Sequence, residues 1–378
     1  MRVPFNRPHL TGREFTYISE AVEGGQLAGN GPFTQRCHAW LERELGCARA
    51  LLTHSCTAAL EMAALLLDPA PGDEIIMPSF TFVSTANAFV LRGARPVFID
   101  IRPDTLNIDE TLIEAAITDR TRAIVPVHYG GVACDMDAIM DIARRHNLVV
   151  IEDAAQGFLA GYRGRPLGSI GDLAALSFHE TKNVISGEGG ALLINDDRFR
   201  ARAEIIWEKG TNRSHFLRGE VEKYTWVDIG SSFLPGELIA AFLWAQLESA
   251  HEMTNERLRL WTRYACGCAE WEQVGVRCPI VPDYASHNAH LFYLLLPPTM
   301  PRVDVLTDLN NRGVNAIFHY VPLHESAAGR RFGRVASRMD VTTSLSSQLI
   351  RLPLWTGLHP SEMEFVIASV AESLTQHV

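Results

Sequence analysis

The run Ser177-Phe-His-Glu-Thr-Lys-Asn183, followed by Ser186-Gly-Glu-Gly-Gly190, sets a lysine five residues after a serine and just before a glycine-rich turn. An ordinary lysine amine has a pKa near ~10.4 and stays protonated at neutral pH. Burial disfavours the charged form, and a neutral amine then forms imines with carbonyl groups and serves as a base. The glycines let backbone come close to a bound group. A lone loop lysine is nevertheless usually a solvated charge, so Lys182 gains meaning only from its company.

That company comes from three other places. Asp153 closes the apolar run Val149-Val-Ile-Glu-Asp153 and leads into Ala154-Ala-Gln156. A carboxylate at such a strand end either caps a helix or holds a heterocyclic nitrogen protonated. Its small neighbour Ala155 fits beneath a flat ring, with Gln156 in reach of a ring oxygen. Ser55-Cys-Thr-Ala58 lies between an apolar run ending at Thr53 and an Ala/Leu-rich helical stretch. Free amides and the positive helix end converge there with Cys56, Thr57 and Ala58, which suits a phosphate as well as an ordinary N-cap; Ser177 offers a further hydroxyl. Phe82, in Pro78-Ser-Phe-Thr-Phe-Val-Ser84, either stacks on a ring or belongs to the core.

A lysine, an acid, an anion cradle and a flat apolar sandwich are what pyridoxal 5'-phosphate (PLP) requires of a protein. They occur here in the order phosphate loop, aromatic, strand-end Asp, Ser, Lys. That order predicts Lys182 as the Schiff-base lysine and Asp153 as the acid against the pyridine nitrogen.

The elements that must position these groups are α/β in pattern. Apolar runs at 49–53, 74–77, 96–99, 123–127, 148–152, 174–177 and 190–194 alternate with helical stretches at 57–67, 109–116 and 135–146, as expected of a largely parallel sheet buried on both faces. Pro235-Gly236 precedes a helical pattern from 237 to about 271. Placing the boundary within it gives a large cofactor-binding domain over 1–245 and a smaller α+β domain over 246–378, with strands near 289–296 and 314–318 and a closing helix.

With 378 residues, 47% hydrophobic and 21% charged, the chain is composed like an ordinary globular protein, and its apolar stretches are too short to span a bilayer. The start, Met1-Arg-Val-Pro-Phe-Asn6, lacks a secretory pattern, which predicts a cytoplasmic protein. A net charge of -10 with no basic cluster argues against a nucleic-acid partner. The seven cysteines show no CxxC pair, so reduced thiols and no metal are expected.

The sequence resembles the DegT/StrS group of nucleotide-sugar aminotransferases over essentially its whole length. The resemblance rests on Pro71-Gly-Asp-Glu-Ile75, Ile151-Glu-Asp-Ala-Ala-Gln156, Ser177-Phe-His-x-x-Lys-Asn183, Gly187-Glu-Gly-Gly190 and Tyr320-Val-Pro-Leu-His324. It implies fold type I architecture and PLP on Lys182. It also implies Asp153 at the pyridinium, ring contacts from Phe82 and Gln156, and phosphate contacts from Cys56, Thr57 and Ser177. Thr53-x-Ser-Cys-Thr57, Val127-His-Tyr-x-Gly-Val132 and Lys209-Gly-Thr-Asn-Arg-Ser214 are similar to members that aminate C4 of TDP-4-keto-6-deoxy-D-glucose with L-glutamate as donor. The resemblance implies a homodimer with shared active sites. Where the group carries a Gly-x-Asn segment whose Asn reaches the partner's phosphate, this chain has Gly230-Ser-Ser232, so Ser232 takes that place.

For substrate, Arg213, His319, Tyr320 and His324 are candidates, each histidine being as readily structural. The rivals are amination at C3 of a 3-keto sugar, a dehydratase of the same fold, which Lys182 disfavours, and a PLP-binding regulator, for which the chain has no room. A Rossmann dehydrogenase lacks its GxGxxG after the first strand.

Overall fold

The apolar runs lie side by side in one sheet. The computed structural model describes residues 1–377. In chain order the strands are β1 (Arg49–Thr53), β2 (Glu74–Pro78), β3 (Arg95–Ile99), β4 (Thr121–Ile124) and β5 (Val149–Asp153), a short hairpin of β6 (Gly161–Tyr162) and β7 (Arg165–Pro166), then β8 (Leu173–Ser177) and β9 (Gly190–Ile194). Beyond them come β10 (Ala285–Ser286), β11 (Phe292–Leu295), β12 (Arg334–Val335) and β13 (Leu349–Leu352). The large sheet has the order β1-β9-β8-β5-β4-β2-β3-β12. Every neighbouring pair is parallel except the two that β9 makes. Runs such as Ile75, Ile76, Met77 and Leu173 to Leu176 are buried throughout because helices cover both faces.

The covering helices form where the sequence supplies their ends. α1 (Glu14–Glu23) and α2 (Pro32–Leu45) pack with the 237–248 helix on one face, around Leu41, Leu176 and Leu193. α3 (Cys56–Leu67) and α4 (Val83–Val90) occupy the other, around Leu51, Met62 and Leu192. α3 is rich in Ala and Leu, good helix formers, and Ser55 caps it by accepting from the Ala58 amide at 3.1 Å. Asp135 caps the 136–146 helix in the same way.

Parallel pairing brings the carboxyl ends of β2, β5 and β8 to one edge, and the two antiparallel pairs of β9 bring that of β1 to the same edge. Because β9 runs the other way, its first residue, Gly190, is opposite both Thr53 and Ser177. A Cβ on Gly190 would lie 2.5 Å from the Cys56 nitrogen, so only glycine fits between the strand and the start of α3. The two-stranded pair β11–β13 belongs to a second core built on Tyr264, Phe292, Val305, Ile350 and Val366. Val3, from the chain's start, joins this core through a bridge to Val314.

Three expectations differ from the structure. The helical pattern from 237 to about 271 is broken into 237–248, 250–265 and 268–272, with Ser249 at φ -108°, ψ 7° between the first two. The 314–318 stretch makes only isolated bridges, Val314 to Val3 and Ile317 to Arg351. The cysteines are not all free. Cys268 and Cys278 form a disulfide, because the chain doubles back after the 268–272 helix and brings their Cα atoms to 6.1 Å. Cys37, Cys47, Cys56, Cys134 and Cys266 are thiols. Among the described residues no helix is long and apolar enough to cross a membrane.

Candidate active site

At the carboxyl edge of the sheet a cavity of about 820 Å³ opens between the large sheet and the β11–β13 pair, a size suited to a cofactor with its substrate. Ser55, Cys56 and Thr57 line it from the start of α3, and Phe82, Ser84 and Thr85 from the start of α4. Asp153, Ala155 and Gln156 follow β5, and Ser177 and Lys182 follow β8; His319, Tyr320 and Arg351 close it from the C-terminal side.

Lys182 stands on the turn after β8, with its amide bonded to the His179 carbonyl at 2.9 Å. Burial pulls its amine below the ordinary lysine value; Cys56 and Asp153 oppose that pull and Arg351 adds to it. An amine shifted this way is available as nucleophile and base. Asp153 is buried at the end of β5. Its Oδ2 accepts from Thr85 Oγ1 at 2.6 Å and its Oδ1 from the Ala155 amide at 3.1 Å, while Thr85 is bonded to Thr81 at 2.7 Å. The carboxylate is thus held from two sides at the cavity wall.

The end of α3 supplies the anion cradle. Ser55 Oγ and the Ser55 carbonyl take the amides of Ala58 and Ala59, which leaves those of Cys56 and Thr57 at the positive helix end without an intrahelical partner. Thr57 Oγ1 and Ser84 Oγ lie 2.7 Å apart beside them, and Ser177 faces them across Gly190. Burial pushes the Cys56 thiol up, Asp153 reinforcing the shift, so Cys56 is a neutral wall residue rather than a nucleophile.

Gln156 is clamped at both ends, accepting from the Gly130 amide at 2.7 Å and donating to Tyr320 OH at 2.9 Å. His319 stacks on Tyr320 with ring centroids 3.6 Å apart, and Tyr129 OH lies 2.7 Å from its Nδ1. Burial holds His319 well below the ordinary histidine value, so its ring is neutral. Asn183 donates to the Asn288 carbonyl, which turns its side-chain oxygen towards His290 Nδ1 at 3.1 Å and makes that nitrogen the donor.

The sequence-predicted residues Lys182, Asp153, Cys56, Thr57, Phe82, Gln156, Ser177, His319 and Tyr320 all line this one cavity. Four others do not. The Ala58 amide is taken up by the cap of α3. His324 is turned away, with its Nδ1 2.7 Å from Ser79 Oγ. Arg213 is paired with Glu208 at 3.5 Å on the exposed side of its helix. Ser232 is exposed, its carbonyl 3.0 Å from His54 Nε2. The sequence did not single out Thr85, His290 or Arg351. Thr85 lies in the first turn of α4 and meets Thr81 from the segment just before that helix, but nothing in the sequence indicated that this turn meets Asp153.

A sequence model of the DegT/DnrJ/EryC1/StrS aminotransferase family matches residues 8–371. The chain belongs to that family. It is 33% identical over 382 residues to the spore coat polysaccharide biosynthesis protein SpsC of Bacillus subtilis, across 98% of this chain and 96% of that one. It is 30% identical over 383 residues to the UDP-4-amino-4-deoxy-L-arabinose–oxoglutarate aminotransferase of Shewanella sediminis, across 98% and 97%. The aminotransferase TlmJ of Streptoalloteichus hindustanus has the same fold, with a TM-score of 0.91 at 29% identity over 99% of each chain.

The fold is therefore the fold type I expected, and the protein is a DegT/StrS-type sugar aminotransferase. The cofactor of these aminotransferases is PLP, and this cavity fits it. It has a lysine with a lowered pKa, a doubly hydrogen-bonded buried carboxylate, a helix start whose first two amides the cap leaves free beside hydroxyls, and a glycine where a side chain would fill the cradle.

Proposed function

We propose that this protein transfers the amino group of L-glutamate to C4 of TDP-4-keto-6-deoxy-D-glucose, in the manner of TDP-4-amino-4,6-dideoxygalactose transaminase. The observation that carries the aminotransferase chemistry is the meeting of Lys182 and Asp153 in one cavity. The C4 assignment is supported by the Lys209-Gly-Thr-Asn-Arg-Ser214 segment and by the Shewanella relative, whose name specifies a 4-amino-4-deoxy sugar and oxoglutarate.

When bound, PLP supplies an aldehyde carbon for the lysine and an electron-withdrawing ring that stabilises charge at the donor's Cα. The protein supplies the rest. Lys182 Nζ takes the Cα proton and returns it, a task for which a lowered pKa suits it. Asp153, fixed by Thr85 and the Ala155 amide, holds a proton at the pyridine nitrogen. Cys56, Thr57 and Ser177 bind the phosphate, and Phe82 and Ala155 enclose the ring. Gln156 and Tyr320, tied to each other, fix the wall opposite. His319 and Tyr320 turn polar edges to the sugar.

We read the active unit as a cytoplasmic homodimer. Phe82 at the cavity mouth is 56% exposed in one chain, and Ser232 and Arg213 lie outside its own cavity, as suits residues that a second copy places near the cofactor or nucleotide. Incubation with TDP-4-keto-6-deoxyglucose and L-glutamate, with the product read by NMR, tests the assignment. An amine at C4 and 2-oxoglutarate released in equal amount are expected. Amination only of a 3-keto sugar would replace the C4 assignment, and no amination of either sugar would refute it.

A further inference from the structure

Lys182 carries its amine on a turn, and a turn by itself does not hold a long side chain in one place. Its neighbour Asn183 is buried and tied to the segment Asn288-Ala289-His290, which follows far along the chain. Two further anchors clamp that segment. Asn288 Nδ2 donates to the Gln156 and Phe158 carbonyls at 2.8 Å each, and its Oδ1 accepts from the His290 amide at 3.0 Å. Arg257, buried on the 250–265 helix, donates to the Ala289 and His290 carbonyls at 3.1 and 2.7 Å. Between them Ala289 has φ +51°, a left-handed conformation that a residue with a Cβ keeps only where its surroundings enforce it.

The clamp aims one ring. His290 lines the cavity and Asn183 does not, so the Nδ1 edge, bonded to Asn183 Oδ1 at 3.1 Å, points out of the cavity and the Nε2 edge into it. Because Nδ1 is the donor, Nε2 carries a lone pair. No described residue takes that lone pair. Burial keeps the ring neutral, and Lys182, Arg257, Arg351 and His319, which face it, act the same way. A carboxylate in this position would raise the proton affinity of Lys182 and spoil it as a base. A neutral acceptor directs the amine with far less effect on that affinity.

We propose that His290 is a positioning residue for Lys182, its Nε2 accepting a hydrogen bond from the Lys182 amine whenever that amine is free. This rests on the transamination reading above. In each half-reaction Lys182 Nζ takes a proton from one carbon and delivers it to another, and a single fixed acceptor holds the amine in line for both steps. His290 itself makes no bond to donor or sugar on this reading.

The test turns on two substitutions in the full-length protein. The amide of His290→Asn stands where Nδ1 stood and keeps the tie to Asn183, whereas that of His290→Gln reaches the place of Nε2 and keeps an acceptor for Lys182. Single-turnover absorbance of the PLP-loaded protein follows the half-reactions with L-glutamate and with the keto sugar nucleotide. Both should slow roughly 10- to 100-fold in His290→Asn, with KM for glutamate unchanged and a larger isotope effect from Cα-deuterated glutamate. His290→Gln should keep most of the wild-type rate. Equal rates for wild type and His290→Asn, the reverse order of the two variants, a raised glutamate KM at unchanged rate, or a loss in one half-reaction alone would overturn the proposal. One measurement needs neither turnover nor a His290 variant. In cofactor-free, 15N-histidine-labelled wild type, an unprotonated Nε2 resonance should move on Lys182→Met. If none responds, the proposal is overturned even where both His290 variants fail to fold. The donor assignment fails separately, since a wild type inert towards glutamate refutes that reading while the NMR result still decides the role of His290.

Discussion

Thr85 Oγ1 donates to Asp153 Oδ2 at 2.6 Å, joining the first turn of α4 to the last residue of β5. The bond fixes the carboxylate that we propose meets the pyridine nitrogen, and on that reading Thr85 acts on the cofactor through Asp153. Replacing Thr85 by Val keeps the shape and removes the donor from a buried charged acceptor, worth about 1–3 kcal/mol. The PLP dissociation constant of the stripped protein should rise roughly 5- to 150-fold, and Thr85→Ser should restore it. Absorbance titration at the cofactor band reads both, and an unchanged constant for Thr85→Val would remove this role.

Lys182 gives a pH dependence with a definite sign. Its folded pKa lies below the ordinary value of 10.5, chiefly through burial. Between the two values the unfolded chain binds more protons than the folded one, so its contribution to stability rises with pH across that window. Cofactor-free Lys182→Met should therefore be more stable than cofactor-free wild type at neutral pH, with the gain fading as pH approaches 10.5. Denaturant unfolding at several pH values measures this. The same variant should show no lysine-bound cofactor absorbance, and retention of that band would contradict the assignment of Lys182.

Glu152, beside Asp153 on β5 but facing the other way, is fully buried and accepts from His128 and from the Gly168, Ile170 and Gly171 amides at 2.7–2.9 Å. Burial works to raise its pKa, but His128 and these amides outweigh it and hold the carboxyl below the ordinary range. The stability it contributes is complete above the ordinary glutamate value and is lost as pH falls through the lowered folded one. Glu152→Ala should cost about 3–5 kcal/mol at neutral pH, and Glu152→Gln less. Equal acid midpoints for wild type and Glu152→Gln would show that the carboxylate is not what titrates.

Gln156 joins two walls of the cavity through Gly130 and Tyr320. Gln156→Leu leaves the buried Gly130 amide unpaired and should destabilise the chain by about 1–3 kcal/mol. Tyr320→Phe removes only the bond at the cavity side and should cost about 1 kcal/mol. Thermal unfolding of the two variants checks the order, and a larger loss for Tyr320→Phe would reverse it.

Local sequence was enough for the strands of the large sheet and for the chemical parts, though not for the breaks in the 237–271 helical pattern or the bridges at 314–318. Continuous apolar runs give buried strands, and Ser55 and Asp135 give helix starts, because these depend on residues a few positions apart. The lysine, the strand-end acid and the phosphate loop were legible for the same reason, since each sits where a strand gives way to a turn or helix. Their meeting in one cavity was carried by the resemblance and the order of motifs; the structure adds the mechanism, parallel pairing of β5 with β8 and the two antiparallel pairs of β9, which together bring the ends of β1, β5 and β8 to one edge.

What the tertiary structure alone decided lies between residues far apart in the chain. Gly130 to Gln156, Thr85 to Asp153 and Arg351 to the Lys182 side of the cavity have no trace in local pattern. His319 and His324 looked alike in the sequence. Packing against Tyr129 turned one into the cavity, and a bond to Ser79 turned the other away. Cys268 and Cys278 likewise met only once the chain doubled back. Side-chain direction is set by the partner across the core, and sequence spacing specifies that partner only within a strand or a helix turn.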